Sequence, residues 1–142
     1  MKNIYIISDV HGCYKTLLAL IDQFLNKQKS KIVFVGDLID KGKNTYDVIE
    51  FVKNNNYDCV IGNHDEMMVL YSQYLENDRQ HEDLKYWLFK CGGEATLNSY
   101  SSQEKFYEHI IFKLNNIYCK QHSLNKISSF VFILIIFWQI YK

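Results

Sequence analysis

The feature that most constrains the fold is a pattern that occurs three times in the first seventy or so residues. A short apolar run is followed by a polar loop that contains glycine, and then by a segment with helical spacing of apolar residues. The apolar runs are Asn3–Ser8, Lys31–Val35 and Cys59–Ile61, and they are typical of buried strands. Alternation of strands and helices predicts an α/β fold with a parallel sheet and right-handed crossovers.

Apolar residues at helical spacing predict where the helices lie. The first helix is expected over Tyr14–Asn26, the second around Tyr46–Val52, and the third directly after Asp65. Two more helices are expected over Glu82–Lys90 and Gln103–Leu114, with a glycine pair between them. The chain shows no internal repeat at a fixed period, and its 142 residues are the length of a single domain.

Composition narrows the class of protein. The chain carries 16 Lys and Arg against 16 Asp and Glu, so its formal net charge is zero, which disfavours a nucleic-acid partner. Its four cysteines form no Cys-x-x-Cys pair, which disfavours a zinc ribbon and favours reduced thiols. No signal peptide is recognisable, so we expect a cytoplasmic protein without a membrane partner.

The three loops carry the residues that are suited to chemistry. Because parallel strands end at the same edge of a sheet, we expect the loops to share one rim, where open α/β sheets place ligands. Carboxylates, imidazoles and an amide oxygen suit Mn²⁺, Fe, Zn²⁺ or Mg²⁺, and a carboxylate can bridge two cations about 3.5–4 Å apart. Loop by loop, the residues are Asp9 and His11; Asp37, Asp40 and Lys41; Asn63, His64 and Asp65.

Each of these residues taken singly has an ordinary structural explanation. An aspartate after a strand is usually a helix cap or a turn residue, and a lone histidine is more often structural than a ligand. Lys41 alone would be a solvated surface charge. Ligand-type residues beside glycine at three successive strand ends make that explanation weaker, because it would have to hold independently three times.

Three motifs carry a resemblance to a known family. Asp9–Gly12 (DVHG), Gly36–Gly42 (GDLIDKG) and Gly62–Asp65 (GNHD) resemble the D-x-H-G, G-D-x-x-D-x-G and G-N-H-[DE] motifs of the calcineurin-like metallophosphoesterases. The basic residue in the second motif, and the later stretch Gly92–Tyr100, are similar to bacterial and phage serine/threonine protein phosphatases. The resemblance implies a metallophosphoesterase-type α/β sandwich, of which this chain carries the N-terminal βαβαβ half and lacks most of the C-terminal half.

The resemblance implies two divalent metal ions. Asp9 and His11 would bind the first ion, Asp37 would bridge both, and Asn63 would bind the second through its amide oxygen. Mn²⁺ is expected first, with Fe, Zn²⁺ and Mg²⁺ as alternatives. A hydroxide held by both ions would be the nucleophile, since two cations lower the pKa of a bound water.

The resemblance also implies an acid and a phosphate-binding residue. His64 would protonate the leaving oxygen as the general acid, and Asp40 would orient His64. Lys41 stands where the family usually has arginine. It keeps the positive charge but loses the bidentate fork, so we expect weaker positioning of the phosphate.

The family pattern breaks after about residue 112. A family member supplies two more histidine ligands and a further arginine from its C-terminal half, but His81, His109 and His122 lie outside the expected context. We therefore divide the chain into residues 1–112, the N-terminal half of a metallophosphoesterase, and 113–142, a divergent apolar tail. Truncation or a change of reading frame is the hypothesis for this break.

The tail contains nine unbroken apolar residues, Phe130–Trp138. As a helix they would span about 14 Å, which is well short of a bilayer core. A buried strand is therefore favoured over a membrane anchor.

These implications favour a metal-dependent phosphomonoester hydrolase that acts on phosphoserine or phosphothreonine in proteins, or on a small phosphoester. Two alternatives remain open. The same motifs serve symmetrical dinucleoside tetraphosphate hydrolases, for which a pocket for the bases would be diagnostic. The chain would instead be an inactive metal-binding fragment if the second metal is lost.

Overall fold

The computed structural model of the chain describes residues 3–25, 29–120 and 132–135. Within them, four parallel strands form one sheet, with helices in the connections. The strands are β1 (Ile4–Ser8), β2 (Lys31–Val35), β3 (Asp58–Val60) and β4 (Phe132–Ile135). The helices are α1 (Tyr14–Asp22), α2 (Thr45–Asn54), α3 (Asn63–Tyr71), α4 (Tyr74–Asn77), α5 (Glu82–Tyr86), α6 (Gly93–Asn98) and α7 (Gln103–Lys120), and a π-helical turn (Trp87–Cys91) separates α5 from α6.

The sheet has the strand order β3–β2–β1–β4, and every pairing in it is parallel. Ile4 lies opposite Lys31, Val33 opposite Asp58, and Tyr5 opposite Phe132. The predicted parallel α/β sheet is therefore confirmed. β4 falls inside the apolar run of the tail, which forms a strand over these four residues, as the sequence favoured.

The hydrophobic core lies where the helices pack against the sheet. The strands contribute Ile7, Phe34 and Cys59, each without solvent exposure. Leu17 of α1 and Ile49 of α2 are equally buried. Each such aliphatic or aromatic side chain stabilises the fold by about 1.5–3 kcal/mol when it is fully buried.

Helix α1 ends earlier than predicted, at Asp22 rather than Asn26. The amide N–H groups of Gln23 and Phe24 donate to carbonyls three residues back, which tightens and closes the last turn. Phe24 then stacks on Tyr5 of β1 with ring centroids 3.9 Å apart. Burial of this ring therefore ends the helix. Asn26, the last residue of the predicted helix, lies outside the described ranges.

The predicted helix over Glu82–Lys90 is also interrupted. It changes to a π-helical turn at Trp87, and Gly92 ends that turn with a φ of 91°, as expected for a glycine after a helix. A Cβ at Gly93 would lie 2.5 Å from the Trp87 ring, so this second glycine allows the indole to pack closely. Glycine is required at both positions, for different reasons.

Helix α7 continues to Lys120 and runs through the predicted division at residue 112. That division stays a prediction. Among the helices that the structure describes, none has both the length and the apolar character needed to cross a bilayer. The cysteines whose side chains are described, Cys13, Cys59 and Cys91, are free thiols.

Candidate metal-binding and catalytic site

The loops that follow β1, β2 and β3 meet at one rim of the sheet, as expected. Backbone hydrogen bonds tie the first loop to the second: the N–H of His11 donates to Asp37 at 3.0 Å, and the N–H of Gly42 donates to His11 at 2.9 Å. The approach is so close at Gly42 that a Cβ there would lie 2.3 Å from the His11 carbonyl oxygen. The loops are therefore held at a separation that only glycine permits.

The rim has an unusual backbone conformation. Six non-glycine residues of the described chain have a positive φ, and five of them lie in the first two loops. L-residues pay roughly 1–2 kcal/mol for this left-handed conformation. The five are Asp9 (55°), His11 (46°), Asp37 (52°), Asp40 (70°) and Lys41 (64°). Backbone strain is thus concentrated where the sequence predicts chemistry.

His11, Asp37 and His64 form a cluster that could hold a metal ion. Each offers one ligand atom, and these atoms lie within 4.8 Å of one another. The Nδ1–H of the buried His11 donates to the Ile39 carbonyl at 2.7 Å, so the lone pair of the ring lies on Nε2. Imidazole and carboxylate donors suit Mn²⁺, Fe, Zn²⁺ or Mg²⁺. The residues therefore fit such an ion.

The other predicted ligands stand beside this cluster. Asp9 Oδ1 lies 3.9 Å from His11 Nε2, and its side chain is 41% exposed. Lys41 donates from Nζ to the same nitrogen of His11 at 3.1 Å, a bond that an ion bound at Nε2 would replace. Asn63 is exposed at the start of α3, directly before His64. The structure brings all of these residues to the rim, and their individual roles stay predictions.

Asp40 and His64 form a buried pair. Asp40 Oδ2 accepts from His64 Nδ1 at 2.7 Å, and Asp40 has no solvent exposure. Trp87 donates its indole N–H to the carboxylate at 3.0 Å, and the Thr96 hydroxyl donates to it at 2.7 Å. Thr96 also accepts from the backbone N–H of Asp40 at 2.9 Å. These contacts fix the carboxylate, which in turn fixes the imidazole and leaves Nε2 of His64 for a reacting group.

Sequence reasoning did not assign Trp87 or Thr96 to the site. Thr96 lies in the Gly92–Tyr100 stretch that carried part of the resemblance, so a signal for it was present. Trp87 had no such signal, because an apolar side chain in an amphipathic helix is ordinarily a core residue.

Asp65 connects the second loop to the third. Its Oδ2 accepts from the backbone N–H groups of Asp37 at 2.9 Å and of Gly62 at 3.0 Å, and its Oδ1 accepts from Leu38 at 3.2 Å. Lys113 Nζ lies 3.0 Å from Oδ1 and forms an ion pair with it, although the angles are not those of a hydrogen bond. Both side chains are fully buried. Burial acts to lower the pKa of Lys113, but the Asp65 carboxylate acts to raise it, and the net direction is upward. The ammonium is therefore charged.

The remaining histidines do not join the cluster. His81 caps α5 and stacks on Tyr74 with centroids 3.8 Å apart. His109 is buried and lies 2.8 Å from Glu50 through Nε2. His122 lies outside the described residues. Within those residues, neither histidine supplies the further ligand that the resemblance asks for.

Known proteins resemble part of this chain. A protein from Coxiella burnetii named "Bis(5'-nucleosyl)-tetraphosphatase, symmetrical" is 36% identical over 84 residues, which cover 57% of this chain and 28% of that protein. A protein of the same name from Psychromonas ingrahamii is 34% identical over 84 residues, which cover 56% of this chain and 30% of that protein. The matched part thus spans less than a third of the length of either relative.

The fold is similar to that of a solved structure. The crystal structure of a metallophosphoesterase from Sphaerobacter thermophilus superposes with a TM-score of 0.51 at 23% identity, covering 79% of this chain and 40% of that one. The sequence model of the family described as calcineurin-like phosphoesterase matches residues 2–139, a range that includes all three motif loops and β4. With its parallel sheet, its three loops at one rim and this match over nearly its whole length, the chain belongs to the calcineurin-like phosphoesterase family.

Proposed function

We propose that this chain carries the metal-binding and acid-bearing part of a hydrolase that cleaves dinucleoside tetraphosphates symmetrically. The observation that carries the proposal is the Asp40–His64 pair beside the cluster of His11 and Asp37. The names of the relatives from Coxiella burnetii and Psychromonas ingrahamii support this substrate. The proposal departs from the protein phosphatase that the Gly92–Tyr100 stretch favoured, and takes up the alternative that shares the same motifs.

The chemistry is a hydrolysis in which water attacks a phosphorus atom next to the central bridging oxygen. A bond forms between the water oxygen and phosphorus, and the bond from phosphorus to the bridging oxygen breaks. Two nucleoside diphosphates result, and one proton of the water is released. Divalent cations held by His11, Asp37 and Asp9 would neutralise phosphate charge and lower the pKa of that water.

His64 and Lys41 have separate tasks in this reaction. Asp40 holds Nδ1 of His64, so Nε2 is the nitrogen that can give a proton to the leaving oxygen. Lys41 places an ammonium beside His11 and attracts phosphate as a point charge. A diphosphate is a better leaving group than the alkoxide of serine, so it depends less on protonation. Loss of His64 should therefore slow phosphoserine hydrolysis more than tetraphosphate hydrolysis.

The test is hydrolysis by the purified chain with Mn²⁺. Diadenosine tetraphosphate and a phosphoserine peptide are supplied in parallel, and ADP and phosphate are quantified by chromatography. We expect ADP as the product, with at least roughly 100-fold loss of rate in Asp37→Asn and His64→Asn. Asp58→Asn, at the opposite edge of the sheet, is the matched control that should keep its rate.

Two outcomes would overturn the proposal. Faster release of phosphate from the peptide than of ADP from the tetraphosphate would restore the protein phosphatase. No hydrolysis of either substrate by folded protein would identify the chain as an inactive metal-binding fragment.

A further inference from the structure

The ion pair between Asp65 and Lys113 lies in the interior, where the net stabilisation from two charges is often small. Both side chains are fully buried, and Lys113 Nζ lies 3.0 Å from Asp65 Oδ1. Taking two charges out of water costs free energy that their mutual attraction often fails to recover. A buried ion pair is therefore weak evidence for stabilisation of the fold, and the place of this pair beneath the site loops suggests a different role.

Asp65 lies under the loops that carry the site. Its two oxygens accept three backbone N–H groups, two from the second loop at Asp37 and Leu38 and one from the third loop at Gly62. The third loop leads directly into His64, whose own N–H donates to Asp37 Oδ1 at 3.0 Å. The carboxylate thus sets the distance between the loop of Asp37 and the loop of His64.

Lys113 lies against one oxygen of this carboxylate. Its ammonium sits against Oδ1, while Oδ2 carries two of the three N–H bonds. Helix α7 brings Lys113 to this position by packing against β3 and α3. A cation here also offsets the negative charge of Asp65 close to Asp37.

We propose that Lys113 is a positioning residue, which acts through Asp65 to hold Asp37 and His64 at the spacing that the metal site needs. This inference rests on the proposed function, because it takes His11 and Asp37 as metal ligands and His64 as the acid beside them. Lys113 is fully buried and is not one of the residues proposed to bind the ion or the phosphate. Its effect passes through backbone hydrogen bonds, so it is measurable in the chain without added metal.

The first experiment compares Lys113→Met with the wild-type chain by amide ¹H–¹⁵N NMR without metal, and by Mn²⁺ titration. The amide resonances of Asp37, Leu38 and Gly62 are expected to shift, and the Mn²⁺ dissociation constant to rise by roughly tenfold or more, as for other residues that support metal ligands. Lys31→Met is the matched control. It removes an ion pair with Asp58 that is 2.6 Å long but exposed and at the opposite edge of the sheet.

A folded Lys113→Met variant with unshifted amides and an unchanged Mn²⁺ dissociation constant would overturn the inference. If instead the wild-type chain binds no Mn²⁺, the proposed function fails. The NMR comparison still decides the positioning role, because it needs no ion.

A second pair of variants decides the matter if Lys113→Met does not fold. Asp65→Asn keeps the shape of the side chain but leaves one acceptor for three N–H groups, and it removes the charge that Lys113 offsets. If Lys113 acts through Asp65, Asp65→Asn and the double variant Asp65→Asn/Lys113→Met bind Mn²⁺ equally. A further loss of about tenfold in the double variant would show that Lys113 acts independently, contrary to the inference.

Discussion

Asp40 is a carboxylate with no solvent exposure, and every contact it makes bears on the orientation of His64. Thr96 makes two hydrogen bonds with Asp40. Its hydroxyl donates to Oδ1, and it accepts from the backbone N–H. Trp87 donates to the same carboxylate. A buried polar group that loses its partner carries the full desolvation penalty, so these neighbours matter more than an exposed hydrogen bond would.

Substitution Thr96→Val should therefore be costly although the two side chains are nearly isosteric. We expect the free energy of unfolding to fall by about 1–3 kcal/mol, because both the Asp40 carboxylate and its N–H lose a partner. We also expect kcat to fall with KM little changed, since His64 is less firmly held. Urea unfolding and steady-state kinetics measure these effects. Thr16→Val, at an exposed position of α1, is the control, and equal behaviour of the two variants would contradict the expectation.

For single residues, the motifs predicted that Asp40 would orient His64. They did not predict that Trp87 and Thr96 hold Asp40 in place. Residues 40 and 87 are distant in the chain, and their contact depends on the π-helical turn that carries Trp87. Asp65 belongs to the third motif, but the sequence assigned it no role. Lys113 lies just beyond the predicted division at residue 112. A lysine in an amphipathic helix predicts a solvated charge, and only the packing of α7 shows otherwise.

A hydrogen-bond network around His109 joins α7 to α2 and to the segment that follows α6. Its Nε2–H donates to Glu50 of α2 at 2.8 Å, and its Nδ1 accepts from the hydroxyl of Tyr100, just after α6, at 2.9 Å. Burial lowers the pKa of His109 below its ordinary 6.5, so the ring is neutral in the folded chain at pH 7. The bond from His109 lowers the pKa of Glu50 from 4.5 to about 2.

Both shifts make the fold less stable in acid, in two separate windows. The unfolded chain binds a proton at His109 more readily than the folded chain does. The contribution of His109 to the free energy of unfolding is therefore fully present above pH 6.5 and is lost as the pH falls below that value. The contribution of Glu50 is present above pH 4.5 and is lost as the pH falls towards 2. We expect His109→Gln to weaken the first fall and Glu50→Gln the second, in urea unfolding at a series of pH values. The same pH dependence in His109→Gln as in the wild-type chain would show that this network does not titrate on unfolding.

Element boundaries show where sequence patterns stop being informative. β2 was predicted to the residue, and β1 and β3 to within one residue at each end, because apolar runs bounded by polar loops are unambiguous. Helix α1 ended early because Phe24 turned back onto Tyr5, a contact that helical spacing cannot reveal. The glycine pair predicted an interruption near residue 92 but not the π-helical turn before it.

As a whole, the molecule should respond to divalent ions by becoming more stable. An ion that binds the folded chain and not the unfolded one adds about 2.7 kcal/mol at a free concentration of 100 times the dissociation constant. We therefore expect Mn²⁺ to raise the Tm and EDTA to reverse the rise. Asp37→Asn should lose most of this response while Asp58→Asn keeps it, as measured by thermal unfolding monitored by circular dichroism. A Tm that does not change with Mn²⁺ would argue against a preformed ion site.

The left-handed residues of the rim have a consequence for engineering. Asp9, His11, Asp37, Asp40 and Lys41 each hold a backbone conformation that glycine would adopt without penalty. A library screened for heat resistance alone would therefore tend to accept glycine at these positions, and each acceptance would discard a carboxylate, an imidazole or an ammonium. Stabilising this protein without erasing its chemistry means holding the five positions constant and seeking the gain elsewhere, for example at Asn56, which has the same conformation in the turn before β3.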